Sequence, residues 1–272
     1  MRNRFYFFSF GLLICLLLSG YVGYAQTDLK KFKEWKAKNI SSITLDRLGD
    51  FFIINKNGTI KKYDPTGKQM ASLSKASTTL VEPWYHPSIF TYSRQKQTYS
   101  LYGRNFENKV AYHIEPALAI EPFLVCPTHD NKLWILDKAD WSLKKVIPGS
   151  SEVLQEFTIS SEAINTDTEF TYLREYLNLI FLVDKNSGIL VLNHLGQEIE
   201  IIPIKNLQQF YFFGEDLYYL ENNQLKFFNL RTEETYQVDL PGKVVHALMT
   251  DEYILTINSQ NQLTLYSYTM AP

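Results

Sequence analysis

Six short apolar runs recur along the chain, each closed by a small or polar residue. They are Phe51-Phe-Ile-Ile-Asn55, Tyr99-Ser-Leu-Tyr-Gly103, Leu133-Trp-Ile-Leu-Asp137, Ile180-Phe-Leu-Val-Asp184, Leu217-Tyr-Tyr-Leu-Glu221 and Ile254-Leu-Thr-Ile-Asn258. Their closing residues lie 48, 34, 47, 37 and 37 positions apart. Repetition of this kind points to architecture before any single residue is interpreted. The first copy shows the unit best. Ile43 to Asp46 reads as a strand, Arg47 to Asp50 as a turn and Phe51 to Ile54 as a second strand. Asn55-Lys-Asn-Gly58 is a hairpin turn whose glycine supplies a positive φ, and Thr59 to Tyr63 is a third strand. Asp64-Pro-Thr-Gly67 turns the chain into a fourth, Lys68 to Leu73.

The same meander is expected at 168–204 and 207–240, at 122–159, and in its most degraded form at 87–117. Four-stranded units with apolar faces bury them by stacking face to face, and around an axis this gives an all-β, six-bladed β-propeller. A β-sandwich is the rival; a β-helix needs shorter coils. The last copy runs Val244 to Met249, Tyr253 to Ile257 and Leu263 to Tyr268, then stops without an outer strand. Phe32 to Lys38 is placed to supply that strand and close the ring from the other end of the chain. A short helix competes for this segment, because Leu29, Phe32 and Trp35 recur near helical spacing after Thr27-Asp28.

Composition agrees with strands, with 18 Tyr and 18 Phe among 272 residues. The first residues carry an address instead. Arg2 and Arg4 precede an apolar Phe5–Leu18, and Gly23-Tyr-Ala25 offers a cleavage site before Gln26. Residues 1–25 are expected to be a secretory signal peptide, leaving 26–272 as a single propeller domain. The rival is an uncleaved anchor, for which the run is short against the roughly 20 residues a span needs. Cys15 has no lipobox around it. Removing Arg2 and Arg4 moves the formal net charge from -2 to -4, which argues against a nucleic-acid surface. The lysines between Lys30 and Lys38 read as a solvated face. The mature chain keeps one cysteine, Cys126, so no internal disulfide is expected.

The stretch Gly49-Asp50-Phe-Phe-Ile-Ile-Asn55-Lys-Asn-Gly58-Thr-Ile-Lys-Lys-Tyr63-Asp64-Pro-Thr-Gly67 resembles a blade of bacterial NHL-like and TolB-like six-bladed propellers. Asp137 and Asp184 stand where that pattern has its strand-end Asp. The likeness covers most of residues 40–269, with the first and fourth blades close to it. Such propellers include scaffolds, lid-like subunits of envelope machines, and some lyases and lactonases. The signal peptide and the Tyr/Asn/Lys-rich style also resemble Bacteroidetes cell-envelope proteins. The resemblance implies an exported, periplasmic or extracellular, non-catalytic interaction module or accessory subunit. A plug of an outer-membrane type 9 secretion translocon is an example of the kind. It would be a monomer or a subunit of a hetero-complex, with an envelope protein as partner. The competing classes are a channel-site enzyme, lactonase or lyase, and a small-ligand or glycan binder.

The chemistry-bearing residues favour binding. No two of His86, His113, His129, His194 and His246 pair at ligand spacing, so no metal or other cofactor is expected. The strand-end Asn55, Asp137, Asp184, Glu221 and Asn258 read as turn caps rather than a ring of ligands. Cys126, three residues from His129, reads as buried and inert rather than as a nucleophile. Glu162, Asp167 and Glu169 read as a solvated acidic loop, His194 as a turn residue and His246 as a core histidine. No catalytic residue is assigned. Two long loops, 74–87 and 159–169, should enter inner strands on one face. Trp84, Tyr85 and Trp141 are expected on that face as partner-binding aromatics. The alternative is that Trp84 and Trp141 pack between blades.

Overall fold

A computed structural model describes residues 27–74, 77–85, 88–160, 164 and 167–269. The signal peptide and Cys15, the cleavage site, and His86 and Glu162 lie outside the described residues. The chain opens with β1 (Asp28–Lys36). The first blade follows as β2 (Ile40–Leu45), β3 (Phe51–Asn55), β4 (Ile60–Tyr63) and β5 (Gln69–Leu73). The second is β6 (Leu80–Glu82), β7 (Ile89–Ser93), β8 (Thr98–Tyr102) and β9 (Val110–His113). The third is β10 (Pro122–Pro127), β11 (Leu133–Asp137), β12 (Ser142–Val146) and β13 (Val153–Thr158). The fourth is β14 (Phe170–Tyr176), β15 (Leu179–Asp184), β16 (Gly188–Asn193) and β17 (Glu198–Ile202). The fifth is β18 (Tyr211–Phe213), β19 (Asp216–Glu221), β20 (Gln224–Asn229) and β21 (Thr235–Asp239). The sixth is β22 (Val244–Met249), β23 (Tyr253–Asn258) and β24 (Gln262–Thr269), with β1 as its outermost strand. Six antiparallel four-stranded sheets make a six-bladed β-propeller, the architecture that the repeat predicts.

The apolar runs are unbroken because the second strand of a blade is buried on both faces. Phe51 and Ile53 join the cluster shared with the sixth blade, while Phe52 and Ile54 pack against Val81 and Ile89 of the second. Phe181 and Val183 face Phe210 and Phe212 of the fifth blade, and Ile180 and Leu182 face Trp134 and Leu136 of the third. Outer strands bury one face at most, and β13 alternates strictly between half-buried and exposed positions.

One marker falls on a different strand from the rest. Tyr99 to Tyr102 belong to the third strand of their blade, and the second-strand equivalent ends at Ser93. With Ser93 as the marker the two uneven spacings become 38 and 44. This blade begins at Leu80, not near residue 87. Its first strand is three residues long, too short to show in the hydrophobic pattern.

The ring closes by strand, not helix. β1 pairs antiparallel with β24, from Asp28 opposite Thr269 to Lys36 opposite Gln262. The register shifts between Lys31 and Lys33, so Phe32 is the extra residue of a β-bulge. That extra residue produces the Leu29, Phe32, Trp35 spacing that imitates a helix. Trp35 lies against Phe51 and Tyr63 of the first blade, with ring centroids 6.1 and 5.9 Å away. It also covers Gly67, where φ is 76° and a Cβ would stand 2.8 Å from the indole.

Candidate functional site

Successive strands of a meander reverse direction, so the loops that enter each blade and the second-to-third strand turns share one face, the entry face. The first-to-second strand turns share the opposite, inner-turn face, close to the axis. Trp141 lies in the β11–β12 turn, on the entry face. Trp84 and Tyr85 follow β6 and lie on the inner-turn face. The sequence pattern places all three on one face, with residues 74–87 as an entering loop; the structure differs because β6 lies inside that segment. Trp141, at φ 56°, sits edge-on to Phe170 at 5.4 Å, packed between the third and fourth blades.

The second-to-third strand turns behave as caps at three of the marked positions. Asp137 accepts hydrogen bonds from the backbone N–H of Ile120, Glu121 and Ala139 at 2.8 to 3.1 Å, and pairs with Lys144 at 3.1 Å. Asp184 accepts from Glu169 N, Asn186 N and the Ser187 hydroxyl. Asn258 accepts from Gln260 N and Gln262 N. Burial raises the Asp137 carboxyl, but the converging N–H donors and Lys144 outweigh it and hold the pKa below 3.8. Glu221 instead pairs with Lys226, and Asn55 Oδ1 makes no side-chain hydrogen bond among the described residues. The acidic-loop residue Glu169 pairs with Lys185 at 3.2 Å, both exposed.

The axis itself is filled. The second and fourth blades are not neighbours, so contacts between their inner strands cross the centre. Arg174 Nε lies 3.6 Å from Glu82 Oε2, and the Tyr172 hydroxyl lies 3.4 Å from the same oxygen. The Tyr85 hydroxyl donates to the Glu175 carbonyl at 2.5 Å. Between the fifth and first blades, the Tyr211 hydroxyl donates to the Ile43 carbonyl at 2.7 Å. Glu82, Tyr172, Arg174 and Tyr211 are all buried. Burial acts to lower the Arg174 pKa, but Glu82 and the surrounding tyrosines outweigh it and the pKa is raised.

Two cavities open at the ends of this plug. The inner-turn mouth measures about 420 Å³ and is lined by Leu48, Trp84, Phe212, Thr250, Asp251 and Glu252, among others. The entry mouth measures about 430 Å³ and includes Asn206, Gln209, Tyr211 and His246. His246 is therefore half-buried at a mouth rather than in the core, and burial lowers its pKa. Cys126 is fully buried in β10, and burial drives its thiol pKa well up, in keeping with an inert thiol.

His129, Asp130 and Glu175 bring their ligand atoms within 4.8 Å of one another on the inner-turn face. Those atoms are already engaged. Glu175 Oε1 accepts from His129 N at 3.0 Å and meets its Nδ1 at 2.7 Å, while Oε2 accepts from Trp134 Nε1 at 2.7 Å. Asp130 pairs with Lys145 at 3.1 Å and accepts from the Thr128 hydroxyl. A metal ion here would have to displace a lysine, so the cluster reads as a hydrogen-bonded and ion-paired knot at the surface.

The sequence reading missed Glu82, Arg174 and Glu175. The available signal was an Arg-Glu pair inside the otherwise uncharged inner strand Phe170-Thr-Tyr-Leu-Arg-Glu-Tyr176. On the inner-turn face, Leu48 at the mouth and Leu177 in the β14–β15 hairpin stand 52% and 58% exposed. Leu177 has φ 48° and Asn178 φ 63°, the two central positions of the β14–β15 hairpin.

No protein-family model matches the sequence, and no curated protein matches it either. Solved structures do share its fold. BamB from Moraxella catarrhalis superposes with a TM-score of 0.53 at 7% identity, over 88% of this chain and 100% of that one. A streptogramin B lyase superposes with 0.53 at 13% identity, over 91% and 89%. BBS1N, in complex with ARL6DN, superposes with 0.57 at 10% identity, over 90% and 98%. At these identities the likeness is one of fold.

Proposed function

We propose that this chain is an exported, non-catalytic propeller that docks a cell-envelope protein through its inner-turn face. The observation that carries the reading is Leu177. A two-residue hairpin with positive φ at both positions favours Asn or Gly. A leucine held there costs on the order of 1 kcal/mol and gains little burial, being 58% exposed. Local strain combined with an exposed apolar side chain points to use of that side chain. Leu48 and the half-buried Trp84 add apolar surface on the same face, where they line the mouth. Trp84 serves as the aromatic anchor. Tyr85, bonded across the axis, fixes the loop that carries it. Trp141 would meet the partner only from the opposite face.

The signal-peptide reading of residues 1–25 supports export, and BamB offers a fold precedent. No helix among the described residues is long and apolar enough to cross a membrane.

Photo-crosslinking in intact envelopes tests the face. A photoreactive residue at Leu48 or Leu177 should capture one protein, and the same residue at Lys138, in an entry-face turn, should not. Leu177→Asn should lose the crosslink made from position 48 while raising stability by about 1 kcal/mol. Equal capture from both faces sinks the reading. The competing class, a channel-site enzyme, finds its support in His129, half-exposed and oriented by buried Glu175. It predicts a turnover that His129→Ala abolishes.

A further inference from the structure

Arg174 is 1% exposed, yet its Nε and both terminal nitrogens make no hydrogen bond among the described residues. A buried guanidinium with its donors unused is costly, and such groups are ordinarily paired. Among the described residues its ion-pair partner is Glu82, at 3.6 Å and outside hydrogen-bond distance. Glu82 is held back by its own partners, since Oε1 accepts from Trp84 N at 3.0 Å and Oε2 faces the Tyr172 hydroxyl. The guanidinium lies between two aromatic faces, 5.1 Å from the Trp84 ring and 5.5 Å from the Phe212 ring. Both rings also line the inner-turn mouth. A cavity of about 420 Å³ therefore ends on two rings with an unsatisfied cation behind them.

We propose that Arg174 is the anchor of an anion site, taking a carboxylate that enters from the inner-turn mouth as the Trp84 ring swings aside. The planar fork of Arg accepts a carboxylate through two parallel N–H donors, which would satisfy the nitrogens that Glu82 leaves free. The mouth selects among anions. Three carboxylates line it, of which Asp46 is paired with Lys62, while Asp251 and Glu252, with Arg47 as the cation in the same lining, oppose a multiply charged group. Trp84, Phe212 and Phe213 offer an apolar wall. The ligand is thus a single carboxylate on an apolar or aromatic body. A free small acid and an acidic side chain of a docked protein share that chemistry. The site stands whether or not the inner-turn face docks a protein.

Isothermal titration of the mature protein provides the test. The probes are benzoate as the free acid, a capped glutamyl peptide as the side-chain form, and inorganic phosphate as the multiply charged anion. Saturable one-to-one binding of benzoate supports a free acid as the source, and binding of the peptide alone supports a protein side chain. No saturable binding of either, or tighter binding of phosphate, overturns the proposal. Arg174→Met should weaken binding about tenfold or more, and undiminished binding in a folded Arg174→Met protein overturns it. Glu82→Gln removes the competing carboxylate and keeps Arg174; its folding is checked by circular dichroism, and the titrations of the unsubstituted protein decide the question if neither variant folds. Glu82→Gln should tighten binding, and unchanged or weaker binding also overturns the proposal. Trp84→Phe should keep the heat of binding and lose the change in indole fluorescence that accompanies it.

Discussion

Asp137 shows what a single marked position contributes. The sequence reads it as a turn cap rather than a ligand, and the marker residues vary from Asn to Gly to Asp to Glu, a variation that turns tolerate. The structure gives the cap its content: three backbone N–H donors and Lys144 converge on one buried carboxylate. Because the folded pKa lies below 3.8, the stabilisation is complete above that value and is lost as pH falls through the folded pKa. Asp137→Asn should cost about 3 kcal/mol at pH 7, since it leaves buried Lys144 with only the more distant, exposed Glu156, at 3.7 Å. Denaturant unfolding of both proteins should show that gap narrowing below pH 4, and a gap independent of pH would contradict this account. Arg174 is the opposite case. Nothing at its position in the sequence says that its donors stay unused, because its neighbours come from β6 and β18, about 90 residues before it and 38 after it.

Among the elements, β1 carries most of what the repeat left open. A strand and a helix both fitted its apolar spacing. The bulge at Phe32 resolves the conflict, because one extra residue lets a strand show a period near three. Trp35 is the packing contact that fixes the strand to the first blade. Trp35→Ala should lower stability by about 2 to 4 kcal/mol, read from thermal or urea unfolding, because the rings of Phe51 and Tyr63 lose a neighbour on one side. A change under about 0.5 kcal/mol would show the contact to be incidental. The strand β6 was hidden for a different reason. Three residues give too little pattern, and the segment around them contains Pro83, which reads as a loop.

At the level of the ring, closure makes the six blades one cooperative body. Apolar clusters fill every interface between adjacent blades, and the sixth blade joins the two ends of the chain. Deleting residues 28–36 would leave the eight-residue β24 as an open edge, with a row of unpaired backbone groups that invites association. The deletion variant should melt at a lower temperature and self-associate in sedimentation. An unchanged melting temperature would refute the closing role. The ring also divides the molecule into two faces. Exposed Leu48 and Leu177 lie on the inner-turn face, and exposed Ile120 and Val245 lie on the entry face.

Local pattern determined the architecture. A second strand buried on both sides must be apolar throughout, a turn needs Asn, Asp or Gly, and both constraints act within a few residues of chain. The blade count, the meander order and the missing outer strand all followed from them. The candidate site did not, because it forms where inner strands distant in sequence meet at the axis. Glu82, Arg174 and Glu175 acquire their burial and partners only there. The separation of Trp84 from Trp141 onto opposite faces depends on which strand precedes each one. Those are consequences of closing the ring, and hydrophobic periodicity along the chain does not encode them.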